Sequence, residues 1–332
     1  MGVNLKSIVN GKEISIKELS GRIVAIDAFN WIYQFLTTIR LADGSPLMDR
    51  AGNVTSHING LFYRSIMLLS NNVIPWFIFD GKAPKFKKAT LLRREETKRK
   101  ALETAEKAET AEKRLSYIRR SVKIDEYVIE SSKELLSLMG IPCLQAPAEG
   151  EAEASFLNSR KVAHYVASQD YDTLLFGAEK VVRNLNITER RKMLNRGVAV
   201  QVKPELIDAS DVFRSNGLSR EKLVLVAMLI GTDYNTGVRG IGPKKALDLV
   251  KKESREKILS SYDFGTEYSA EEIYDYFMHP NVIEVDEKPA LGAMEKERLI
   301  DFMSKEHSFD KDRVVNSISK LSERREGSLM GF

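Results

Sequence analysis

Hydrophobic positions along this chain fall into two kinds of run. Three are short and continuous: Ile23-Val24-Ala25-Ile26, Pro75-Trp76-Phe77-Ile78-Phe79 and Tyr165-Val166-Ala167. They are too brief for helices and lean toward β-branched and aromatic residues. Asp27 and Asp80 directly follow the first two, and Asp170 lies just beyond the third. Between and after them stand segments with helical character: FNWIYQFL after Asp27, then 124–139, and beyond the third run LVLVAMLI before Gly231. In 124–139 the buried side is Leu135, Leu136, Leu138 and Met139, and Gly140 with Pro142 stops the helix. Buried strands alternating with helices predict an α/β fold, a mostly parallel central sheet covered by helices on both faces. In such sheets ligands bind beyond the carboxyl ends of the strands.

Acids gather at those ends. The stretch 144–177 carries Glu149, Glu151, Glu153, Asp170 and Asp172, with Arg160 and Lys161 as its only Lys or Arg residues. Glutamates just after Pro147 suit the positive end of a helix. Asp170 and Asp172, at alternate positions of an extended segment, would point the same way. One aspartate after a strand is ordinarily a helix cap. Three strands delivering aspartate to one edge, beside glutamates, predict a shared site. Crowded carboxylates repel unless protons or cations lie between them, so the economical occupant is a hard divalent metal. On a regular helix Glu149 would share a face with Glu153 and not with Glu151, so spacing leaves the participating glutamates open. The four histidines, His57, His164, His279 and His307, are scattered, which speaks against zinc.

Residues 82–123 change the texture. Lysine and arginine outnumber acids, and side chains larger than alanine are scarce among the apolar residues from Glu95 to Arg114. A helix without an apolar stripe is either solvent-bridging or ordered only under some conditions. Set beside Asp80, it reads as a basic arch that grips phosphates, because phosphate contacts dominate nucleic-acid affinity. Lys87 and Arg94 are two helical turns apart and would face the same way on one helix. Residues 181–203 read as a basic surface hairpin turning at Gly197. At Gly240-Ile241-Gly242-Pro243-Lys244-Lys245, a Gly-x-Gly turn between helices lets backbone approach a phosphate. Residues 260–332 read as a mixed helical tail.

Composition narrows the class. With 332 residues, 43% apolar and 30% charged, the chain can bury a sizeable core as one or two domains. A net charge of +4 is slight, so the local clusters matter more than the total. Cys143 stands alone and can form no internal disulfide, which favours a reducing, intracellular setting. The start MGVNLKSIVNGKE has no long apolar segment, so neither a signal peptide nor a membrane span is expected. Gly2 does not make a myristoylation motif, because Lys6 stands where Ser or Thr is required.

The motifs VAIDAFNWIYQFL, PLMDRAGNVTSHINGLFYR, FIFDGKAPKFK, LMGIP, QAPAEGEAEA, SQDYDTLLFG, LIGTDYN and GIGPKKAL follow one another in that order, and the match they carry runs from Gly2 to about Leu321. In this the chain resembles the flap endonuclease family of structure-specific 5′ nucleases, in its compact archaeal form. The resemblance implies a single nuclease domain over 1–332. Its parts would be 1–81, a helical arch at 82–123, an internal nuclease part at 124–235, a helix-hairpin-helix at 236–260 and a tail at 322–332. It implies an acidic site of Asp27, Asp80, Glu149, Glu151, Asp170, Asp172 and Asp233, selecting Glu151 over Glu153. Two Mg²⁺ ions would be held there, directly by Asp80, Glu149, Glu151 and Asp170 and partly through water by the others. One ion would activate water for in-line attack on a phosphodiester, and the other would stabilise the leaving oxygen. Lys87 and Arg94 would stabilise charge on the scissile phosphate. Tyr33 would stack on the base beside the cut, its alternative being ordinary core packing. Gly240, Gly242, Lys244 and Lys245 would hold K⁺ against the duplex backbone, without reading bases.

The implied activity is 5′ flap cleavage, with 5′–3′ exonuclease activity, in DNA replication and repair. The partner would be branched DNA, met by a monomer. The family often ends in a sliding-clamp peptide, of which Leu329 and Phe332 remain, while Glu326 replaces its Gln. Three rivals stay open: another 5′ nuclease such as an exonuclease or junction resolvase, a DNA-binding scaffold that cuts nothing, and a Mg²⁺ phosphatase for small molecules.

Overall fold

The apolar runs form the inner strands of one sheet. The computed structural model describes residues 3–41, 43–106, 122–187, 190–192 and 199–329. Among them are nine strands: β1 Lys12–Glu13, β2 Ile23–Asp27, β3 Ile74–Phe79, β4 Cys143–Gln145, β5 Tyr165–Ala167, β6 Lys180–Arg183, β7 Arg190–Lys192, β8 Ala199–Gln201 and β9 Glu205–Asp208. Seven build the central sheet in the order β1-β9-β6-β5-β2-β3-β4. The five from β6 to β4 run parallel, while β9 is antiparallel to both β6 and β1. Register pairs Asp27 with Ile78 and Ala167 with Ile26, so β2, β3 and β5 end at one level.

Both faces of the sheet are covered, as continuous apolar strands require. Ile23 and Ala25 of β2, with Trp76, Ile78, Val166 and Val181, face one core. The helices Gly150–Ser159, Arg220–Ile230, Pro243–Lys252 and Ala270–Met278 close it. Val24 and Ile26, with Phe77, Phe79, Ala167 and Val182, face the other, under the helices Ala28–Thr38, Ser56–Ser70, Glu126–Leu138 and Lys311–Leu329. Alternate residues of one strand therefore serve opposite layers. Burying each large apolar side chain contributes about 1.5–3 kcal/mol.

One local expectation needs revision. Residues 181–183 belong to β6 and not to a surface hairpin, because Val181 and Val182 are each 1% exposed between the two cores. The hairpin is the separate pair β7–β8, with Arg190 opposite Gln201, and Gly197 lies outside the described residues. The basic segment is helical over Lys88–Glu106, with the pairs Lys100–Glu96 at 2.6 Å and Arg99–Glu103 at 3.0 Å. Residues 107–121 of the expected arch lie outside the described residues. No helix among the described residues is long and apolar enough to cross a membrane.

The helices Ala28–Thr38 and Ser56–Ser70 meet closely at Gly60, where an added Cβ would stand 2.2 Å from Cγ of the buried Phe35. Gly60→Ala should therefore destabilise the protein by about 1–3 kcal/mol through overpacking. In urea denaturation the midpoint should fall while the slope stays constant, and Phe35→Leu should restore part of the loss.

Candidate functional site

Each acid reaches the carboxyl edge of the sheet by a different local device. Asp27 ends β2 and also caps the helix Ala28–Thr38, accepting the Asn30 backbone N–H at 3.0 Å. It is a helix cap and a member of the cluster at once. Asp80 follows β3, and its Oδ1 accepts the Gly150 N–H at 2.7 Å. A Cβ at Gly150 would lie 2.9 Å from that oxygen and 3.0 Å from the Ile78 carbonyl, so the approach favours glycine. Glu149 is the N-cap of the helix Gly150–Ser159, with extended φ −90° and ψ 132°, and Glu151 lies in its first turn. At that N-cap the backbone leaves helical geometry, so the spacing that would pair Glu149 with Glu153 on one helix face does not apply there. Glu153 turns elsewhere, buried, and accepts the Ile283 N–H at 2.9 Å.

Asp170 and Asp172 do not lie on an extended segment. β5 stops at Ala167, the chain turns, and Asp172 opens the short helix Asp172–Leu175. The turn still delivers both. Asp170 Oδ2 accepts from Asn30 Nδ2 at 3.3 Å, and Asp172 Oδ1 accepts the Val3 N–H at 2.8 Å. Glu151 Oε1 accepts from the Ser168 hydroxyl at 2.5 Å. Asp233 comes from the loop after the helix Arg220–Ile230.

These carboxyls share one field. Burial, then Asp80 and Asp170, push Asp27 up to about 8. Burial and then Asp170 push Asp172 up to about 7. Asp80 is raised by burial and by Glu149, against the pull of Lys87. Glu151 is held well above the usual range by burial, then by Asp170, Asp27 and Asp172. Two cations answer them. Lys87 Nζ donates to Glu149 Oε1 and lies 3.8 Å from Asp233 Oδ2. Arg94 Nη2 donates to the two Asp233 oxygens at 2.7 and 2.5 Å. Burial alone would lower the Lys87 ammonium, but Glu149, Asp80 and Asp233 outweigh it and hold it above its ordinary value. Lys87 sits in a 3₁₀ turn, Lys85–Lys87, ahead of the helix that carries Arg94. The two converge on Asp233 from consecutive elements and not from one helix face.

Among the described residues no three Asp, Glu, His or Cys side chains already form a metal cage. The donor set nevertheless fits hard divalent ions. It offers only oxygen, and among the described residues Lys87 and Arg94 meet the acids while burial and neighbouring carboxylates raise Asp27, Glu151 and Asp172. Zinc is a poor fit. His57 is buried against Ser131, and His164 accepts from Ile23 N–H at the opposite end of β2.

Four contributors escaped sequence reasoning. Asn30 and Ser168 hydrogen-bond the acids as described, and Tyr234 and Tyr276 both donate to Glu149 Oε2, the latter at 3.4 Å. Tyr234 adjoins Asp233 and Ser168 follows β5, so adjacency could have flagged them; nothing in the sequence marks Tyr276. Tyr33 is 40% exposed on the helix Ala28–Thr38, so it is not a core residue. The glycine turn joins the helix Arg220–Ile230 to Pro243–Lys252. Gly240 is left-handed at φ +80°, Gly242 is the N-cap, and Lys244 and Lys245 are exposed. Leu329 ends the last helix and Phe332 lies outside the described residues.

Comparison with known proteins follows the same outline. The XPG N-terminal domain model matches residues 1–101 and the XPG I-region model matches 140–233. Flap endonuclease 1 of Thermococcus onnurineus is 46% identical over 326 residues, covering 97% of this chain and 94% of that protein. The structure of flap endonuclease-1 from Methanococcus jannaschii superposes with a TM-score of 0.77 at 36% identity, over 98% of this chain and all of that one. The catalytic core of Rad2 in complex with DNA substrate shares the fold, with a TM-score of 0.71 at 23% identity, covering 97% of this chain and 100% of that one.

The raised acids make the metal-free protein pH-sensitive. Asp27 and Asp172 bind protons more tightly folded than unfolded, so their charge weakens the fold as pH rises from 3.8 toward 7 and 8. In EDTA the melting temperature should rise when pH is lowered from about 8 to about 6.5, a window set by those values. Asp27→Asn should flatten that rise, and a pH-independent melting point would contradict the shared field.

Proposed function

The chain belongs to the flap endonuclease family, and from that membership we propose that it hydrolyses phosphodiester bonds where a 5′ single-stranded flap meets duplex DNA. The observation that carries this reading is the meeting of acids from several elements with Lys87 and Arg94 at one edge of the sheet. Two divalent cations, Mg²⁺ first among them, would supply the Lewis acidity for hydrolysis when held by Asp27, Asp80, Glu149, Glu151, Asp170, Asp172 and Asp233.

The chain's own groups do the rest. Lys87 and Arg94 bring positive charge to the acidic edge, where the phosphate must approach a strongly negative surface. On binding they exchange carboxylate partners for phosphate oxygens, which offsets charge as it develops. Tyr33, exposed on its helix, offers a face on which a base can stack. The turn at Gly240 and Gly242, with Lys244 and Lys245, would hold the duplex backbone, with K⁺ as the bridging ion. Such contacts fix register and leave sequence unread, which suits recognition of a junction by a monomer. The parts 82–123 and 236–260 thus act as strand grip and duplex anchor of one nuclease domain. The tail 322–332 is read as a degenerate clamp peptide through Leu329 and Phe332.

Labelled 5′-flap DNA incubated with Mg²⁺ should be cut near the junction, and EDTA should stop the cutting. Asp170→Ala should reduce cleavage by at least about 100-fold while keeping flap binding. Equal cutting of flap, blunt and four-way substrates would instead favour another 5′ nuclease. For the tail, deleting residues 328–332 should abolish capture by a sliding clamp, and capture that survives the deletion removes the peptide reading.

A further inference from the structure

The basic segment leaves the sheet edge through the turn Lys85–Lys87. In a 3₁₀ turn successive side chains diverge by about 120°. The three residues accordingly part company. Lys85 Nζ pairs with Glu272 at 2.6 Å, Lys87 reaches Glu149, and Phe86 between them is buried. The Phe86 ring packs edge-on against Tyr268 at 5.0 Å and tilts against Tyr276 at 5.5 Å, with Tyr234 at 6.3 Å. The Tyr268 hydroxyl donates to the Lys85 carbonyl at 3.0 Å and ties the turn a second time. Tyr234 and Tyr276 also donate to Glu149 Oε2, while Lys87 holds Oε1 of the same carboxylate. The contacts form a closed circuit: Phe86 to two tyrosines, to Glu149, to Lys87, and back along one peptide bond.

We propose that Phe86 is a positioning residue for cleavage, seated among Tyr234, Tyr268 and Tyr276 so that Lys87 is aimed at the acidic edge. The inference rests on the reading of Lys87 given above and adds what sets its direction. On the helix that follows, Leu91 and Leu92 are both exposed, and its attachments near this end are the buried Thr90 and the Arg94–Asp233 pair. Neither touches Lys87 as closely as the turn, where Phe86 is its immediate neighbour in the chain. A residue that merely filled space would affect stability without preference for the step that uses Lys87.

The test is a double-mutant cycle on the full chain, read as single-turnover cleavage of 5′-flap DNA with Mg²⁺, with flap affinity measured separately. Phe86→Ala should slow cleavage by about 10- to 100-fold at nearly unchanged affinity, as expected for a misplaced group. Phe86→Leu, which keeps much of the apolar volume, should recover part of the rate. In a Lys87→Ala background the same Phe86→Ala change should alter the rate by less than about 3-fold, because the two act as one unit. If circular dichroism shows Phe86→Ala unfolded, Phe86→Leu replaces it in the cycle. Wild-type rates in the Phe86 variants, with Lys87→Ala slow, would overturn this inference alone. Equal losses in both backgrounds would overturn it too. A fast Lys87→Ala protein would remove the reading of Lys87 and this inference with it.

Discussion

Like charges must be kept together here against their own repulsion, and the sheet is what keeps them. Asp27, Asp80 and Asp170 sit where adjacent parallel strands stop, so the register of β5, β2 and β3 fixes their neighbourhood before any side chain moves. Burial makes that crowding worse, since a carboxylate taken out of water favours its neutral form. The two apolar layers supply the opposing free energy, with Phe77 and Phe79 on one side and Trp76 and Ile78 on the other. Folding thus creates an electrostatic deficit that cations can relieve, which links core packing directly to the proposed chemistry.

The basic segment relieves part of that deficit from outside the sheet. Among the described residues, its helix Lys88–Glu106 carries exposed ion pairs along its length, which contribute little each. The firmer attachments among them lie at its start, where Arg94 and Lys87 meet acids and Phe86 is buried. Such an element can exchange carboxylates for phosphate without disturbing either core.

Much of this arrangement was legible in the order of residues. Continuous apolar runs announced strands buried on both faces, and an acid after each announced which edge would be charged. Side-chain direction was less legible. Alternation suggested that Asp170 and Asp172 extend together, but β5 ends at Ala167 and a short helix takes over, a local boundary that pattern alone does not fix. Val181 and Val182 read as part of a basic hairpin because Arg183, Arg190 and Arg191 follow nearby, yet tertiary burial assigned them to the sheet. Tyr276 was invisible for another reason: its contact with Glu149 spans 127 residues, and nothing local distinguishes it from other core tyrosines.

Asp27 carries a lesson for anyone building a library of variants at this edge. Because its side chain also closes the first turn of the Ala28–Thr38 helix, truncation to alanine would mix two defects, a frayed turn and an altered charge. Asparagine keeps an oxygen for the turn while dropping the charge, so comparing Asp27→Asn with Asp27→Ala separates architecture from reactivity. The Asp27→Asn protein would make the cleaner reference against which weakened turnover elsewhere is judged.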